Sequence, residues 1–131
     1  MSYKTSKVWT GSEWAGIAVA VANSQQKTIS NEVGTTFTLD TTIAADTFVF
    51  SNSSPITVTI PDDASDEFVI GQTVVLIQNG TGTVSVTTED VADLYSSVAT
   101  GTVDLNGQYS VATLIKIDSD EWVIYGDIVS P

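Results

Sequence analysis

Residues 107–128 read GQYSVATLIKIDSDEWVIYGDI, and they carry the strongest local structural signal in this chain. Two apolar runs flank the short polar segment 118–121, which is rich in aspartate and serine. Because successive side chains of a strand point to opposite faces, the alternation in both runs predicts two strands, each with one buried face. A short segment of this composition suits a hairpin turn. The sequence therefore predicts a C-terminal β-hairpin, and the rest of the chain is interpreted as sheet built onto it.

The alternation also predicts which side of each hairpin strand is buried. We expect the odd-numbered residues of the first strand and the even-numbered residues of the second to occupy the buried faces. These residues are Tyr109, Val111, Thr113, Ile115 and Ile117 in the first strand, and Trp122, Ile124, Gly126 and Ile128 in the second. Trp122 is accordingly predicted to lie in the core.

The composition points to the same fold class along the whole chain. Valine, isoleucine and threonine account for 47 of the 131 residues, and these β-branched side chains fit a pleated surface better than a helix. No long stretch shows apolar residues at helical spacing, and turn signals recur at the roughly 8–12-residue spacing of short strands. We predict an all-β protein, an antiparallel β-sandwich or β-roll of about ten short strands, with an N-terminal arm.

Three internal stretches give more specific predictions. Ile56–Ile60 alternates cleanly and stops at Pro61, since proline cannot donate a hydrogen bond to a sheet ladder. Thr73–Gln78 contains four consecutive apolar residues, a pattern that predicts a central strand covered on both faces. The Asn79-Gly80 pair that follows favours positive φ at both positions, and it predicts a hairpin turn that returns the chain through residues 83–87.

Charge divides the chain into two parts of opposite sign. Residues 1–27 hold three lysines and one acid, a net charge of +2, whereas residues 28–131 hold Lys116 against fifteen acids, a net charge of −14. We interpret residues 1–27 as an N-terminal docking arm and residues 28–131 as an acidic β-domain. An acidic body repels phosphate groups, so we expect binding neither to nucleic acid nor to anionic membranes. No apolar run reaches the ~20 residues of a membrane span.

The arm is predicted to dock on a partner. Residues 14–22 alternate between branched apolar residues and alanines, and an alanine face lets another backbone or sheet approach closely. An isolated two-stranded hairpin is marginal in water, so this segment must pack on the rest of the domain or on a neighbouring subunit. Tryptophan is also enriched among interface anchors. The predicted partner-docking residues are Lys4, Lys7, Trp9, Trp14, Ile17, Ala18 and Ala20.

The inventory of reactive side chains argues against catalysis. The chain contains no histidine, cysteine or arginine. It therefore cannot assemble Ser-His or Cys-His nucleophiles, zinc sites built on histidine or cysteine, or an arginine clamp for phosphate. We expect no enzymatic activity, no cofactor and no metal.

Carboxylates leave two alternatives open. Acids crowd residues 62–67 and 118–121, and each group could hold Ca²⁺ through oxygen ligands, although neither has EF-hand spacing. A glycosidase pair would need two carboxylates from different strands about 5–10 Å apart, and no spacing in the sequence marks such a pair. The plainer interpretation is that the surface loops of an acidic protein carry acids.

Three motifs resemble a β-rich domain of bacteriophage virion proteins, including tail-fibre and head-decoration components. They are ITVTIPDDA at 56–64, FVIGQTVVLIQNGTGTVSV at 68–86 and LNGQYSVATLIKIDSDEWVIYGDI at 105–128, and they occur in this order in those domains. The opening KVWTGSEWAGIAVAV, residues 7–21, also resembles short segments near the N-termini of phage fibre and appendage proteins.

The resemblance implies a structural protein located in the virion after assembly in the host cytoplasm. Such domains generally form homotrimers or higher oligomers, and they bind other virion proteins such as the major capsid or tail protein, or sometimes host-surface glycans. A chain this short, without a repetitive shaft, suits a capsid-decoration or head-appendage protein. A tail-fibre or tail-adaptor component is one alternative, and a carbohydrate-binding module with exposed aromatic side chains is another.

Overall fold

The computed structural model describes residues 28–131, and this part of the chain consists of eleven strands and loops without a helix. The strands are β1 (Ile29–Glu32), β2 (Thr36–Thr38), β3 (Thr47–Phe50), β4 (Ile56–Ile60), β5 (Thr73–Gln78), β6 (Val84–Thr88), β7 (Asp93–Tyr95), β8 (Val103–Leu105), β9 (Val111–Asp118), β10 (Glu121–Gly126) and β11 (Ile128–Val129). The predicted all-β class is confirmed. Nothing between residues 28 and 131 is a helix that could cross a membrane. The N-terminal docking arm predicted for residues 1–27 falls outside the described residues.

The strands form two mixed sheets with the core between them. The six-stranded sheet has the order β1-β3-β5-β9-β10-β7, and the five-stranded sheet has the order β11-β8-β6-β4-β2. Side chains from both sheets meet in one apolar cluster that includes Phe50, Val58, Leu76 and Ile124. Each of these side chains is almost completely removed from water, and burial on this scale is the main favourable term in folding.

The first six strands wind back and forth between the two sheets. In the six-stranded sheet β1, β3 and β5 pair in parallel, and in the five-stranded sheet β2, β4 and β6 do the same. The prediction of an antiparallel fold is therefore wrong for this half of the domain. Each connection carries the chain across the core to the opposite sheet. Consecutive strands therefore do not pair with each other as they would in a hairpin. Local alternation reports a buried face and not the direction of the neighbouring strand.

The turn at residues 79–82 is one of these crossings and not the predicted hairpin turn. It joins β5 to β6, which lie in different sheets, and neither Asn79 nor Gly80 has a positive φ. Its glycines serve a close approach between backbones instead. A Cβ atom on Gly80 would overlap the backbone of Asn52, and one on Gly82 would overlap the carbonyl of Ser54. The turn therefore stacks directly on the earlier turn that joins β3 to β4.

The C-terminal hairpin is confirmed. β9 and β10 pair antiparallel, and Ser119 and Asp120 form the turn between them, with Asp120 at φ 54°. The ladder shifts register between Glu121 and Trp122, which marks a β-bulge. Because β9 also pairs antiparallel with β5, the hairpin joins directly to the parallel strands of the first half.

The buried face of β9 is opposite to the one predicted. Ala112, Leu114 and Lys116 point into the core, whereas Tyr109 and Ile117 are exposed. The prediction is wrong because alternation marks two faces without deciding between them, and the face with more large apolar residues is here the outer one. Here the lysine faces inward and is paired with a carboxylate, which allows a charged side chain to be buried.

β5 is central in its sheet, as predicted, but it is not covered on both faces by the described part of the chain. Val74 and Leu76 are buried, whereas Val75 and Ile77 on the opposite face are only half-buried. The continuous apolar run therefore has one side in the core and one side on the outside of the sheet.

Aromatic side chains anchor the core in two places. Phe37 packs against Phe48 and Phe50, with ring centroids 5.0 and 5.8 Å apart. Trp122 meets Phe68 edge to face at 5.5 Å, and its ring is buried as predicted. The indole Nε1–H of Trp122 finds no hydrogen-bond acceptor among residues 28–131, which offsets part of the gain from burying the ring.

Candidate functional site

The seven residues predicted to dock on a partner all lie in residues 1–27, outside the described part of the chain. The candidate site within residues 28–131 is therefore built from the acidic loops, the buried lysine and the cavity beside them.

Lys116 is the only lysine in residues 28–131, and the structure places it in the interior with 1% of its side chain exposed. Its Nζ lies 2.5 Å from Oδ1 of Asp63 and donates a second hydrogen bond, 2.7 Å long, to the carbonyl oxygen of Phe68. Asp63 retains 18% exposure. The ammonium group is thus neutralised and hydrogen-bonded, as a buried charge must be.

The same ion pair joins two loops that the sequence presents as separate acidic clusters. The backbone N–H of Asp63 donates to Oδ1 of Asp120, and the backbone N–H of Asp120 donates to Oδ2 of Asp63, at 2.7 and 3.2 Å. The Asp63 carboxylate therefore accepts hydrogen bonds both from Lys116 and from the β9–β10 turn. This arrangement ties the β4–β5 loop to the C-terminal hairpin.

Asp62 and Asp66 of the β4–β5 loop also have local structural roles. Oδ1 of Asp62 accepts from the backbone N–H of Ser65, and the Asp66 carboxylate accepts from both the N–H and the hydroxyl of Thr41. Within residues 28–131 no three acidic side chains are grouped so that they could hold a metal ion.

Burial of Lys116 decides the charge of the surface. Residues 28–131 contain fifteen acidic side chains and one basic side chain, Lys116, and this basic side chain lies inside the protein. The surface of the described domain consequently carries no cationic side chain. Its charged side chains are all acidic, so its electrostatic field attracts cations and positively charged segments.

A cavity of about 240 Å³ opens between the loops that follow β2 and β4. Leu39, Phe48 and Phe68 provide apolar walls, and Asp40 and Glu67 lie at its polar margin. An opening of this size admits one side chain of a partner or a small ligand, and its acids favour a cationic or hydrogen-bond-donating group.

The carboxylate of Asp40 at this margin is held by Thr42. The hydroxyl and the backbone N–H of Thr42 both donate to Oδ1 of Asp40, at 2.7 and 2.8 Å. These hydrogen bonds favour the ionised carboxylate, so they lower the pKa of Asp40 below its ordinary value.

Replacing Thr42 by valine should therefore raise the pKa of Asp40 part of the way back, because the hydroxyl donor is lost and the backbone donor remains. In the wild type the pKa of Asp40 is lower in the folded state than in the unfolded chain. The stabilisation that the ionised Asp40 carboxylate contributes is thus present above the unfolded-state pKa and is lost as the pH falls through the folded-state pKa. An NMR titration of the Asp40 carboxyl measures the shift, with Thr57→Val on another strand as the control. An unchanged Asp40 titration in Thr42→Val would contradict the assignment.

Sequence reasoning missed the Lys116–Asp63 pair. The two residues are 53 positions apart, and they lie in two different sequence motifs, so no local pattern links them. One signal was present: Lys116 is the only basic residue in residues 28–131, and it shares its strand face with Ala112 and Leu114. A lone lysine in such a position indicates a buried ion pair.

Comparisons with known proteins give no identity. No protein-family model matches the chain, and a search of curated proteins finds no match.

Proposed function

We propose that this protein is a non-enzymatic structural component of a bacteriophage virion. In this proposal it is a capsid-decoration or head-appendage protein that docks on the shell through residues 1–27 as a homotrimer. The support comes from the resemblance of three motifs to phage virion domains and from the all-β body found for residues 28–131.

The observation that carries the proposal is the burial of Lys116. With that side chain inside the core, the only other lysines of the chain belong to residues 1–27, where Lys4 and Lys7 precede Trp9 in the sequence. A basic segment joined to a uniformly acidic body has a preferred orientation at an acidic partner: the segment approaches and the body is repelled. This division suits a body displayed outward from a shell.

Truncation tests the docking role of residues 1–22. The particles used are ones assembled without this protein. Full-length protein should co-sediment with them, and protein truncated by residues 1–22 should not. Undiminished binding by the truncated protein would rule the docking role out.

A charge-reversal pair separates electrostatic docking from a loss of packing. Lys4→Glu with Lys7→Glu should weaken binding to particles, and Lys4→Arg with Lys7→Arg, which keeps the charge, should preserve it. Binding by the wild type should also fall as salt increases, because screening weakens attraction between exposed charges. Antibody labelling of intact particles then distinguishes attachment to the head from attachment to the tail.

A further inference from the structure

The outer face of the six-stranded sheet, which points away from the core, carries no charged residue over three adjacent cross-strand rows. The ladder registers place these residues side by side. The rows are Ile29, Thr47, Val75, Thr113 and Tyr125; Asn31, Val49, Ile77 and Val111; and Thr73, Ile115, Val123 and Tyr95. We call these thirteen residues the outer sheet face, and nine of them are apolar or aromatic.

The outer sheet face is open to water in the described part of the chain. Ile29 is 59% exposed, Tyr125 54% and Val111 43%, and all strands of residues 28–131 belong to the two sheets on either side of the core. Thirteen positions, each about 4.8 Å wide across the sheet and about 7 Å long along the strand, give an area of roughly 440 Å², of which the nine apolar or aromatic positions cover roughly 300 Å². Apolar patches of a few hundred Å² on soluble proteins often mark an interaction site.

The other sheet shows that the fold does not require an apolar outside. Apart from Val129 on the edge strand β11, its outer face is built from small polar residues and one acid: Thr36, Thr38, Thr57, Thr59, Ser85, Thr87 and Asp104. Threonine suits a strand as well as valine does. The valine, isoleucine and tyrosine side chains on the outer sheet face are therefore not explained by strand formation, and they require a partner.

We propose that residues 14–22 of the same molecule cover the outer sheet face. This stretch, WAGIAVAVA, has no charged residue, and so it can lie on a charge-free surface without burying an unpaired charge. Its branched residues Ile17, Val19 and Val21 supply an apolar side, and the alanines between them allow close approach.

The position of the connection favours the chain's own segment over any other occupant. Residue 28 precedes Ile29, which belongs to the first row of the face. The six steps from residue 22 to residue 28 span at most about 20 Å. β9, near the middle of the face, lies three strand spacings or about 14 Å from β1, so residue 22 can reach it. A tether this short gives an effective concentration in the millimolar range.

Charge argues against a second acidic domain on this face. Residues 28–131 carry a net charge of −14, so two such domains repel each other, while residues 1–27 carry +2.

The inference does not depend on the proposed virion role. It narrows the predicted docking segment, because Trp14, Ile17, Ala18 and Ala20 would lie on the chain's own sheet and residues 1–13, with Lys4, Lys7 and Trp9, would engage a partner.

Hydrogen exchange of the full-length protein, followed by mass spectrometry, tests the inference. The amides of residues 17–22 should exchange at least about tenfold more slowly than in an unstructured peptide, because packing on a sheet protects them. Tyr125→Asp, at an exposed position, and Val75→Asp, at the centre of the face, should remove most of this protection. Thr57→Asp adds the same charge to the outside of the other sheet and should leave it unchanged.

A spin label on an introduced Ala20→Cys distinguishes the chain's own segment from that of a neighbour, since the natural chain has no cysteine. In the first sample, spin-labelled ¹⁵N protein is diluted with ¹⁴N protein that carries no spin label, and the amide signals around Val75 and Thr113 should be broadened. In the second sample, ¹⁵N protein without a spin label is mixed with spin-labelled ¹⁴N protein, and these signals should stay sharp.

Three results would overturn the inference. They are fast exchange of residues 17–22 in the wild type, protection that survives both aspartate variants, and broadening in the mixed sample, which would assign the face to a second copy. None of these results depends on co-sedimentation with particles, so the proposed function and this inference can fail separately.

Discussion

Asp63→Ala is expected to destabilise the protein by about 3–5 kcal/mol, the usual cost of removing one partner from a buried ion pair. The substitution leaves the Lys116 ammonium inside the core with only the Phe68 carbonyl as an acceptor. It also removes the carboxylate that accepts from the backbone N–H of Asp120, so the β4–β5 loop loses two of its hydrogen bonds to the C-terminal hairpin. Urea unfolding followed by circular dichroism measures the free-energy difference.

Two further variants separate the charge effect from a general loss of packing. Lys116→Met combined with Asp63→Ala should be clearly more stable than Asp63→Ala alone, because methionine removes the unpaired charge and keeps most of the buried volume. Asp90→Ala removes an exposed acid and should change stability by no more than about 0.5 kcal/mol. If Asp63→Ala behaved like Asp90→Ala, Lys116 would not be buried as an ion pair.

Gly82→Ala is the second substitution with a large expected effect, about 3 kcal/mol or more of destabilisation. The new methyl group would overlap the carbonyl group of Ser54 and approach the carbonyl oxygen of Asn52. These are backbone atoms of the β3–β4 turn, so no side-chain rotation can relieve the overlap. The backbone N–H of Gly82 also donates to the Asn52 carbonyl at 2.9 Å, and separation of the two turns would break that bond.

Gly107→Ala is the matched control. A Cβ atom at Gly107 meets nothing within 4 Å, and Gly107 does not have a positive φ. Alanine there should be neutral or stabilising by about 0.4–1 kcal/mol, since it lowers the entropy of the unfolded chain. Thermal and urea unfolding of the two variants give the comparison. Equal stability of Gly82→Ala and wild type would mean that the two turns are not stacked.

The sequence predicted those elements whose neighbours in the fold are also neighbours in the chain. The C-terminal hairpin was predicted because β9 and β10 are joined by a two-residue turn. The alternation of Ile56–Ile60 and the burial of Trp122 were also predicted correctly, because each depends on the residue pattern of one strand. The Asn79-Gly80 turn was interpreted wrongly, since its glycines are needed for contact with a turn about 27 residues earlier.

The candidate site was less predictable than the fold. Both acidic loops were recognised, but nothing in either loop shows that Asp63 and Asp120 exchange hydrogen bonds or that Lys116 lies between them and the core. A lysine on a strand is ordinarily solvent-exposed. Its burial becomes favourable only when a carboxylate from another part of the chain reaches it, and that distance is set by the packing of the two sheets.

The amino-acid sequence by itself determined the β-sheet class, the division into a basic segment and an acidic body, and the absence of histidine, cysteine and arginine chemistry. These properties follow from composition and from periods of two residues, so they are readable from neighbouring residues. Only the tertiary structure decided the parallel winding, the inward face of β9, the ion pair of Lys116 and the apolar outer sheet face. Each of these depends on contacts between residues far apart in the chain, and local patterns do not specify such contacts.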